Sequence, residues 1–527
     1  MKKYQIILLA AIAVGFSSCK PEFDDEISNG TYTAGEADFS RYVAVGNSLT
    51  SGYMDGTMYR SGQQYSFPNL LSKQFSVVGG GEFTQPSYAD DVNDLGGLLL
   101  GSNVIGKTRM IINMSTGGPQ NLAGTPTIQV GQLQQRAFNN MGVPGAKSFH
   151  LLAAGYGNLQ GVATGQANPY FVRMATTSNA TVLADALSMN PTFFTNWIGS
   201  NDVLAYALSG GTGVNQQGNY NPATYGGNDI TDPNVFAQVY STITNGLTAN
   251  GSKGVVATIP YVTSIPHFTT VPYNPLTTEA LGGTQVVGQL NELIVKLKGA
   301  LTYLGAGDRV EIFSTSAPNP LLIKDETLPN LSTQLSAVLA QDPELAPLAT
   351  VLGQIYGQAR HAKSTDLFVL GTSSVIGTTS TAATIAALPA QYQALFGKVG
   401  VTYPLEDMYT LIPQEQQEIK EATDSFNNTI KTIAASKGLA VADMNAIMNQ
   451  LVSGIRVADG QIYTADYFKG LGNMNVVLFS LDGVHPNPRG YALVTNEIIK
   501  VINKHYKAHL PLYVPGNFPG VTIKASN

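Results

Sequence analysis

Short runs of apolar residues recur along the chain and predict buried β-strands. They occupy residues 41–47, 191–199, 253–262 and 439–445. A run of this length that is bounded by turn-forming residues is typical of a strand covered on both faces. We therefore expect these four runs to be strands of one sheet.

Longer segments with the apolar spacing of helices separate these strands. Residues 233–251 and 413–438 are amphipathic, end at a glycine and lead directly into a predicted strand. The last helix is predicted to begin after Asn487, which is placed to cap it, with Pro488 at the first helical position. Strands that alternate with helices predict a parallel sheet with helices on both of its faces.

The alternation breaks between about residues 263 and 412. This segment contains apolar pieces with helical spacing, for example over residues 331–360. A chain of 527 residues could hold about two to four average domains, but one large α/β unit with an insertion fits the pattern equally well. We expect the segment to be a large insertion that forms a cap over the functional site.

Composition and charge narrow the class of protein. Charged residues make up 12% of the chain, about half the usual share of roughly 25%, and glycine, proline and tyrosine are plentiful. This composition suits an exported protein with many ordered loops. The formal net charge is −6 and no basic cluster occurs, which argues against nucleic-acid binding.

The N-terminus has the parts of an export signal. Two lysines precede an apolar stretch over residues 4–16, and small residues then lead to Cys19, the only cysteine. The ending at Cys19 resembles a bacterial lipobox, whose cysteine is lipidated and becomes the mature N-terminus. If Cys19 carries lipid, no cysteine remains for a disulfide or for thiol chemistry. The alternative is an ordinary cleaved signal with an incidental cysteine.

These features divide the chain into four predicted parts. We expect a signal peptide over residues 1–19, a polar tether over 20–39, a main domain over 40–505 with its insertion at about 263–412, and a C-terminal extension over 506–527. A lipidated Cys19 would anchor the protein to a membrane. We therefore expect an outer-membrane lipoprotein that faces either the periplasm or the cell surface.

Polar residues follow the predicted strands, at the edge where open parallel sheets bind their ligands. They are Asn47 and Ser48 after the first strand, Gly145 at a loop-to-helix turn in residues 140–155, Asn201 and Asp202 after the second strand, and Asp482 and His485 before the last helix. Each position in isolation also has a structural explanation as a helix cap, a turn or a helix start. Their combination at one sheet edge favours a catalytic site.

These residue types suit nucleophilic catalysis by a serine. The Ser48 hydroxyl needs an adjacent base, which His485 could supply, and Asp482 could hold the imidazole in the correct tautomer. The N–H groups of Ser48 and Gly145 and the amide of Asn201 could bind an oxyanion. One such donor typically contributes about 3 kcal/mol of transition-state stabilisation.

The blocks "GNSLTSGY", "NMGVPG", "GSND" and "DGVHPN", in this order, resemble blocks I, II, III and V of the SGNH (GDSL) hydrolases. The resemblance implies a flavodoxin-like three-layer α/β/α fold, serine esterase or lipase activity, and neither cofactor nor metal. It implies Ser48 as the nucleophile, Asp482 and His485 as the rest of the triad, and Gly145 and Asn201 as oxyanion residues.

Two observations bear on this resemblance. Block I of the family usually has aspartate before the serine, whereas this chain has Asn47, whose amide can make many of the same hydrogen bonds. The Gly-x-Ser-x-Gly elbow of a competing serine-hydrolase architecture does not occur in the chain.

His505 and His509 lie four residues apart, as metal ligands can, but no third ligand is evident and a solvated helix face explains them better.

The substrate class stays open at the level of the sequence. A serine hydrolase of this kind would act on carboxylic esters, which could be lipid acyl esters or short acyl esters. A deep apolar site would favour lipids, and a shallow site lined by tyrosine and asparagine would favour carbohydrate acetyl esters. The alternative from another class is a non-catalytic surface binding lipoprotein, and turnover would distinguish it from an enzyme.

Overall fold

The computed structural model describes residues 31–457 and 460–524. The predicted signal peptide with Cys19 lies outside these residues, as does the first part of the predicted tether. The rest of the predicted tether packs on the protein, because Phe39 is buried and Thr33 bridges to His509. Within the described residues no helix is both long enough and apolar enough to cross a membrane.

Five parallel strands form the central sheet. The strands of the described residues are β1 Tyr42–Gly46, β2 Leu98–Leu100, β3 Asn103–Gly106, β4 Met110–Asn113, β5 Pro119–Asn121, β6 Asn140–Gly142, β7 Phe193–Trp197, β8 Lys253–Ala257, β9 Leu322–Lys324, β10 Ala359–His361, β11 Leu367–Phe368, β12 Thr410–Leu411, β13 Ala440–Ala442, β14 Ile455–Arg456, β15 Ile462–Tyr463 and β16 Ile523–Lys524. The central sheet has the order β13–β8–β7–β1–β6, with every neighbouring pair parallel. The predicted α/β class with a parallel sheet is confirmed.

Helices connect these strands and cover the sheet. The α-helices of the described residues are α1 Ser48–Ser51, α2 Arg60–Gln63, α3 Phe67–Ser76, α4 Pro169–Met174, α5 Val182–Ser188, α6 Asn201–Leu208, α7 Pro233–Thr248, α8 Pro266–Thr269, α9 Thr284–Tyr303, α10 Ser332–Leu339, α11 Ala349–Tyr356, α12 Ala383–Ala386, α13 Ala390–Phe396, α14 Pro413–Lys437, α15 Met444–Ser453 and α16 Pro488–Tyr506. The predicted cap of the last helix is confirmed, since Asn487 Oδ1 accepts the Gly490 N–H at 2.9 Å.

Both faces of the sheet are buried, because side chains alternate along each strand. Val45 of β1 lies in one core with residues of α7 and α14, whereas Ala44 lies in a second core with residues of α3 and α16. Near-continuous apolar strands are what a parallel sheet covered on both faces requires. This is why the inner strands β1, β7 and β8, and the edge strand β13, could be recognised from short apolar runs.

The segment over residues 140–155 differs from its prediction as a loop that turns into a helix at Gly145. It contains the edge strand β6, paired with β1, and a short 3₁₀ helix over Ser148–Leu152. A β-carbon at Gly142 would collide with the Ser51 N, so this strand needs a glycine to lie against α1. A three-residue strand with asparagine and glycine carries no apolar pattern, which explains why it was missed.

The insertion has a hydrophobic core of its own. Its buried side chains run from Val271 to Ile412 and include Leu335 and Phe368, which are fully buried. Two short antiparallel pairs, β9–β10 and β11–β12, and helices α8 to α13 build this region. Most of the apolar side chains of the insertion therefore pack against one another within the insertion.

Candidate active site

Ser48 lies on a tight turn between β1 and the single-turn helix α1. Asn47 caps the helix, with its Oδ1 accepting the Leu49 N–H at 3.1 Å. A β-carbon at Gly46 would collide with Thr50 Oγ1, so the strand can approach the helix this closely only with glycine. The Asn47 amide supplies the cap that an aspartate would supply, while its Nδ2 is buried without a partner among the described residues.

Ser48, His485 and Asp482 form one chain of hydrogen bonds. Ser48 Oγ lies 2.8 Å from His485 Nε2, and His485 Nδ1 lies 2.9 Å from Asp482 Oδ2. Because a carboxylate only accepts, Nδ1 carries the proton and Nε2 accepts from the serine hydroxyl. Ser48 and His485 are separated by 437 residues along the chain, whereas Asp482 and His485 are three residues apart.

The Asp482 carboxylate is fixed by four donors. Its Oδ1 accepts the N–H groups of Val484 and His485, both at 2.8 Å, and its Oδ2 accepts the His485 ring and the Gly56 N–H at 3.1 Å. Burial by itself would raise the pKa of Asp482, but the charge and hydrogen bonds of His485 and the Val484 N–H outweigh burial and lower this pKa to about 2. Asp482 is therefore ionised throughout the physiological range.

The predicted oxyanion donors are only partly brought together. The N–H groups of Ser48 and Gly145 have no hydrogen-bond partner among the described residues and are available to a ligand. Asn201 lines the same cleft as Ser48, and its Nδ2 donates to the Ala146 carbonyl at 2.9 Å. Gly145 is exposed with a φ of 80°, and it is linked to the cleft through this contact of Asn201 with its neighbour Ala146.

An apolar cleft opens beside Ser48 and His485. Its polar side chains, Asn47, Ser48, Ser200, Asn201 and His485, come from the residues around the hydrogen-bonded chain. No Asp, Glu, Lys or Arg of residues 31–457 and 460–524 lines it. The walls are apolar and include Leu204, Val262, Met448, Leu451, Leu478 and Leu493. The cleft is thus polar at one end and apolar along the rest.

The walls of the cleft come from the α/β core. Helix α15 contributes Met448 and Leu451, and helix α16 contributes Leu493 and Val494. Of the described lining residues, only Ile265 belongs to the insertion. The insertion therefore does not supply the shelter that its apolar composition led us to expect, because most of its apolar side chains pack in their own core.

Tyr53 and Asp55 were not recognised from the sequence as part of the site, and His267 was considered only as a residue that could line its mouth. The ring of Tyr53 packs on the His485 ring with centroids 4.7 Å apart. Asp55 accepts the Leu481 N–H at 3.0 Å, and His267 lies against the backbone of Asp482, with Nδ1 3.2 Å from the carbonyl oxygen. The Asp-Gly dipeptide shortly after Ser48 was a usable signal for a tight turn beside the site.

Outside the cleft, three carboxylates lie close enough together to be compared with a metal site. Oxygens of Glu326, Asp407 and Glu415 all lie within 4.8 Å of one another, and none of these residues lines the cleft. Burial and the neighbouring carboxylates raise the pKa of Asp407 to about 7 and that of Glu415 to about 8. Protons can therefore neutralise this cluster near neutral pH.

His505, which was considered from the sequence as a metal ligand, contacts the Gly438 carbonyl, with Nε2 3.1 Å from the oxygen.

No family model, curated protein or solved structure matches this chain. The site is therefore interpreted from its own geometry. That geometry is a serine, a histidine and an aspartate in one hydrogen-bonded chain at the polar end of an apolar cleft.

Proposed function

We propose that the protein is a serine ester hydrolase that acts through an acyl-enzyme on carboxylic esters with an apolar acyl chain. The observation that carries this proposal is the hydrogen-bonded chain from Ser48 Oγ through His485 to Asp482, with distances of 2.8 and 2.9 Å. A serine hydroxyl becomes a competent nucleophile when such a base is within hydrogen-bond reach and is itself oriented by a third group.

In the first half-reaction Ser48 Oγ attacks the ester carbonyl while His485 Nε2 takes the hydroxyl proton. The ionised Asp482 holds the Nδ1–H and stabilises the imidazolium that forms. The Ser48 N–H and the Asn201 amide, which line the cleft, bind the oxyanion of the tetrahedral intermediate, and the Gly145 N–H is the third donor that the family resemblance implies. The intermediate collapses when the C–O bond to the leaving alkoxide breaks, and the alkoxide takes the proton from Nε2.

In the second half-reaction water takes the place of the alcohol. His485 Nε2 removes a proton from the water, the resulting hydroxide attacks the acyl carbonyl, and Ser48 leaves with the proton returned by His485. The products are the free acid and the regenerated enzyme. These steps call for no redox partner and no nucleotide.

The lining of the cleft favours a substrate with an apolar acyl chain over a carbohydrate acetyl ester. Its polar groups stand around the position of the reacting carbonyl, and the remaining walls, such as Leu204, Met448 and Leu493, present carbon and sulfur atoms. Burial of each methylene of an acyl chain there contributes about 0.8 kcal/mol. A sugar bound along the same walls would lose hydrogen bonds to water without replacement.

We also propose that the chain is an SGNH-type hydrolase with a flavodoxin-like three-layer fold, exported as an outer-membrane lipoprotein. The five-stranded parallel sheet with helices on both faces supports the fold. The serine at the end of β1 and the Asp-x-x-His before the last helix support the family resemblance. The signal with Cys19 supports the lipid anchor.

The test is ester hydrolysis by the detergent-solubilised full chain. We expect Ser48→Ala to lower kcat/KM by at least ~10³-fold on p-nitrophenyl acetate, octanoate and dodecanoate. The matched control is Ser252→Ala, which removes a buried hydroxyl that donates to the Pro191 carbonyl and does not line the cleft. This control should stay close to the unsubstituted protein.

Two other outcomes would replace the proposal. If the unsubstituted protein and Ser48→Ala were equally slow on every ester, the site would belong to a non-catalytic binding protein. If acetylated glycans turned over quickly and octanoate and dodecanoate slowly, a carbohydrate acetylesterase would be favoured, and the apolar cleft would not be the acyl site.

A further inference from the structure

The loop that carries Asp482 and His485 is held by the segment that follows the nucleophile helix. We name residues 480–485 the acid–base loop. Tyr53 packs on the His485 ring, Asp55 contacts Ser480 and Leu481, and the Gly56 N–H donates to Asp482 Oδ2 at 3.1 Å. The nucleophile and its base are thus joined by a second set of contacts besides their own hydrogen bond.

Asp55 makes the closest of these contacts to the main chain of the loop. Its Oδ1 accepts the Leu481 N–H at 3.0 Å, and its own N–H donates to Ser480 Oγ at 3.0 Å. Its Oδ2 accepts the Tyr59 O–H at 2.9 Å. The residue has a φ of 53°, in the left-handed region, and its side chain is 4% exposed. A buried carboxylate at a turn position that few residues adopt is costly, and the contacts on the loop explain what it does there.

The groups around Asp55 leave its charge largely uncompensated. The charged or titratable side chains that face it are Tyr59, Arg109, Tyr467 and Asp482. Arg109 lies over the Tyr59 ring, 4.8 Å from its centroid, and pairs with Asp94 at 3.4 Å, so its charge is shared. Tyr467 donates to the Leu481 carbonyl at 2.6 Å and leaves the Leu481 N–H to Asp55.

We propose that Asp55 is a positioning residue whose ionised carboxylate holds the acid–base loop by the Leu481 N–H and so orients Asp482 and His485 toward Ser48. A charged acceptor forms a hydrogen bond about twice as strong as a neutral one, so the loop is held best when Asp55 is ionised. This inference rests on the proposed function of Ser48.

A pH dependence follows from the position of this carboxyl group. Burial raises the pKa of Asp55 to about 6, with repulsion from Asp482 adding to it and the hydrogen bonds from Leu481 and Tyr59 opposing it. Above that pH Asp55 is ionised and holds the loop, and below it the neutral acid resembles an asparagine. The activity ratio of the unsubstituted protein to Asp55→Asn should therefore change with pH.

The experiment measures kcat and KM of the full chain and of Asp55→Asn from pH 5 to 8. We expect Asp55→Asn to lower kcat by about 10-fold at pH 8 with KM little changed, and the two proteins to agree within about 2-fold at pH 5. Taking the ratio cancels the protonation of His485, which affects both proteins. Asp185→Asn is the matched control, because Asp185 is 3% exposed and accepts the Thr176 N–H at 3.0 Å away from the acid–base loop.

Stability separates positioning from a merely structural role. Because the folded-state pKa of Asp55 is raised, its stabilising effect is present at low pH and is lost as pH rises from about 3.9 through about 6. Asp55→Asn should therefore have a Tm at pH 8 equal to or above that of the unsubstituted protein, although it is less active. A ratio that is independent of pH, together with a lower Tm, would overturn the proposal.

An NMR measurement tests the proposal even if no ester is turned over. Selective ¹⁵N labelling of leucine reports on the Leu481 amide, whose N–H donates to Asp55 Oδ1. We expect the chemical shift of this amide to change with pH as Asp55 titrates in the unsubstituted protein and to lose that change in Asp55→Asn. The same pH dependence in both proteins would overturn the role of Asp55 whether or not the protein is an esterase. Equal ester hydrolysis by the unsubstituted protein and Ser48→Ala would instead overturn the proposed function alone.

Discussion

The end of the central sheet and the insertion each have a buried apolar core, but they relate to the candidate active site differently. Ser48 and Asn201 directly follow strands β1 and β7, and His485 precedes helix α16. The insertion contributes a single residue, Ile265, to the described lining of the cleft. The hydrophobicity of a segment therefore does not assign it to a site, whereas the position of polar residues after parallel strands does.

The insertion contacts the acid–base loop of the candidate active site through His267. The His267 N–H donates to the Gly483 carbonyl at 2.9 Å, and Nδ1 lies 3.2 Å from the Asp482 carbonyl oxygen. Asp55 holds the same loop from the other side through the Leu481 N–H. The insertion thus contacts the acid–base loop and contributes little to the walls of the cleft. We therefore expect substitutions in the two regions to have separable effects.

The largest effect is expected where the α/β core lines the cleft. Leu451→Trp adds volume to a wall residue that is 6% exposed, and it should exclude part of a long acyl chain. Since one methylene in an apolar pocket is worth about 1–3 kcal/mol, kcat/KM for dodecanoate should fall about 10–100-fold, with acetate little affected. The measurement is the rate as a function of acyl chain length.

The control for the cleft lies on the same helix. Val452 is 56% exposed, so Val452→Trp should leave the chain-length profile unchanged. A Tm measurement on both variants detects overpacking, which typically costs about 1–3 kcal/mol. Equal losses on acetate and dodecanoate in Leu451→Trp would mean that this wall does not hold the acyl chain.

The same contrast explains how much of the fold could be predicted from the sequence. Strands β1, β7, β8 and β13 were predicted because each is an apolar run buried on both faces. The edge strand β6 was missed because three residues that include asparagine and glycine have no apolar pattern. Runs of apolar residues in the sequence thus identify strands with apolar side chains. They do not identify a strand such as β6, which is defined by its pairing with β1.

Within the site, the residues with a proposed chemical role were easier to predict than the residues that hold them in place. Ser48, Asp482 and His485 were expected together because each side chain has a named role in one reaction, and the structure places them in hydrogen-bond contact. Asp55 was not recognised, because its partner Leu481 is 426 residues away and contributes only a backbone N–H. Every residue except proline has such an N–H, so no sequence pattern could identify this contact.

A smaller effect is expected where the insertion meets the acid–base loop. His267→Ala removes the ring that contacts the Asp482 carbonyl but keeps the backbone bond to Gly483. Because a single neutral hydrogen bond contributes about 0.5–1.5 kcal/mol, kcat should fall about 2–10-fold with KM unchanged. Steady-state kinetics on one ester is sufficient to measure this.

His361 provides the comparison inside the insertion. It is buried, with Nδ1 accepting the Glu311 N–H at 2.8 Å, and it has no contact with the loop among the described residues. His361→Ala should lower the Tm and leave kcat unchanged. If His361→Ala reduced kcat as much as His267→Ala does, the insertion would act through its overall stability rather than through the contact at Asp482.

The smallest effect on activity is expected at the junction of the two regions, where only stability should change. Glu415 lies in the first turn of helix α14, its Oε2 accepts the Ile412 N–H at 2.8 Å, and Gly211 of the core packs against its carboxylate. Burial raises the pKa of this carboxyl group to about 8, so the folded state keeps a proton that the unfolded chain releases above about 4.3. Stability should therefore decline as pH rises from about 4.3 to about 8.

Glu415→Gln cannot titrate but keeps an oxygen for the Ile412 N–H. Its Tm should exceed that of the unsubstituted protein at pH 8 and approach it at pH 5, while kcat stays the same. Glu421 on the same helix is exposed, so Glu421→Gln should show no such pH-dependent difference. If the Tm advantage of Glu415→Gln came with a change in kcat, the junction would affect more than stability, and the proposed separation between the α/β core and its supporting insertion would fail at this point.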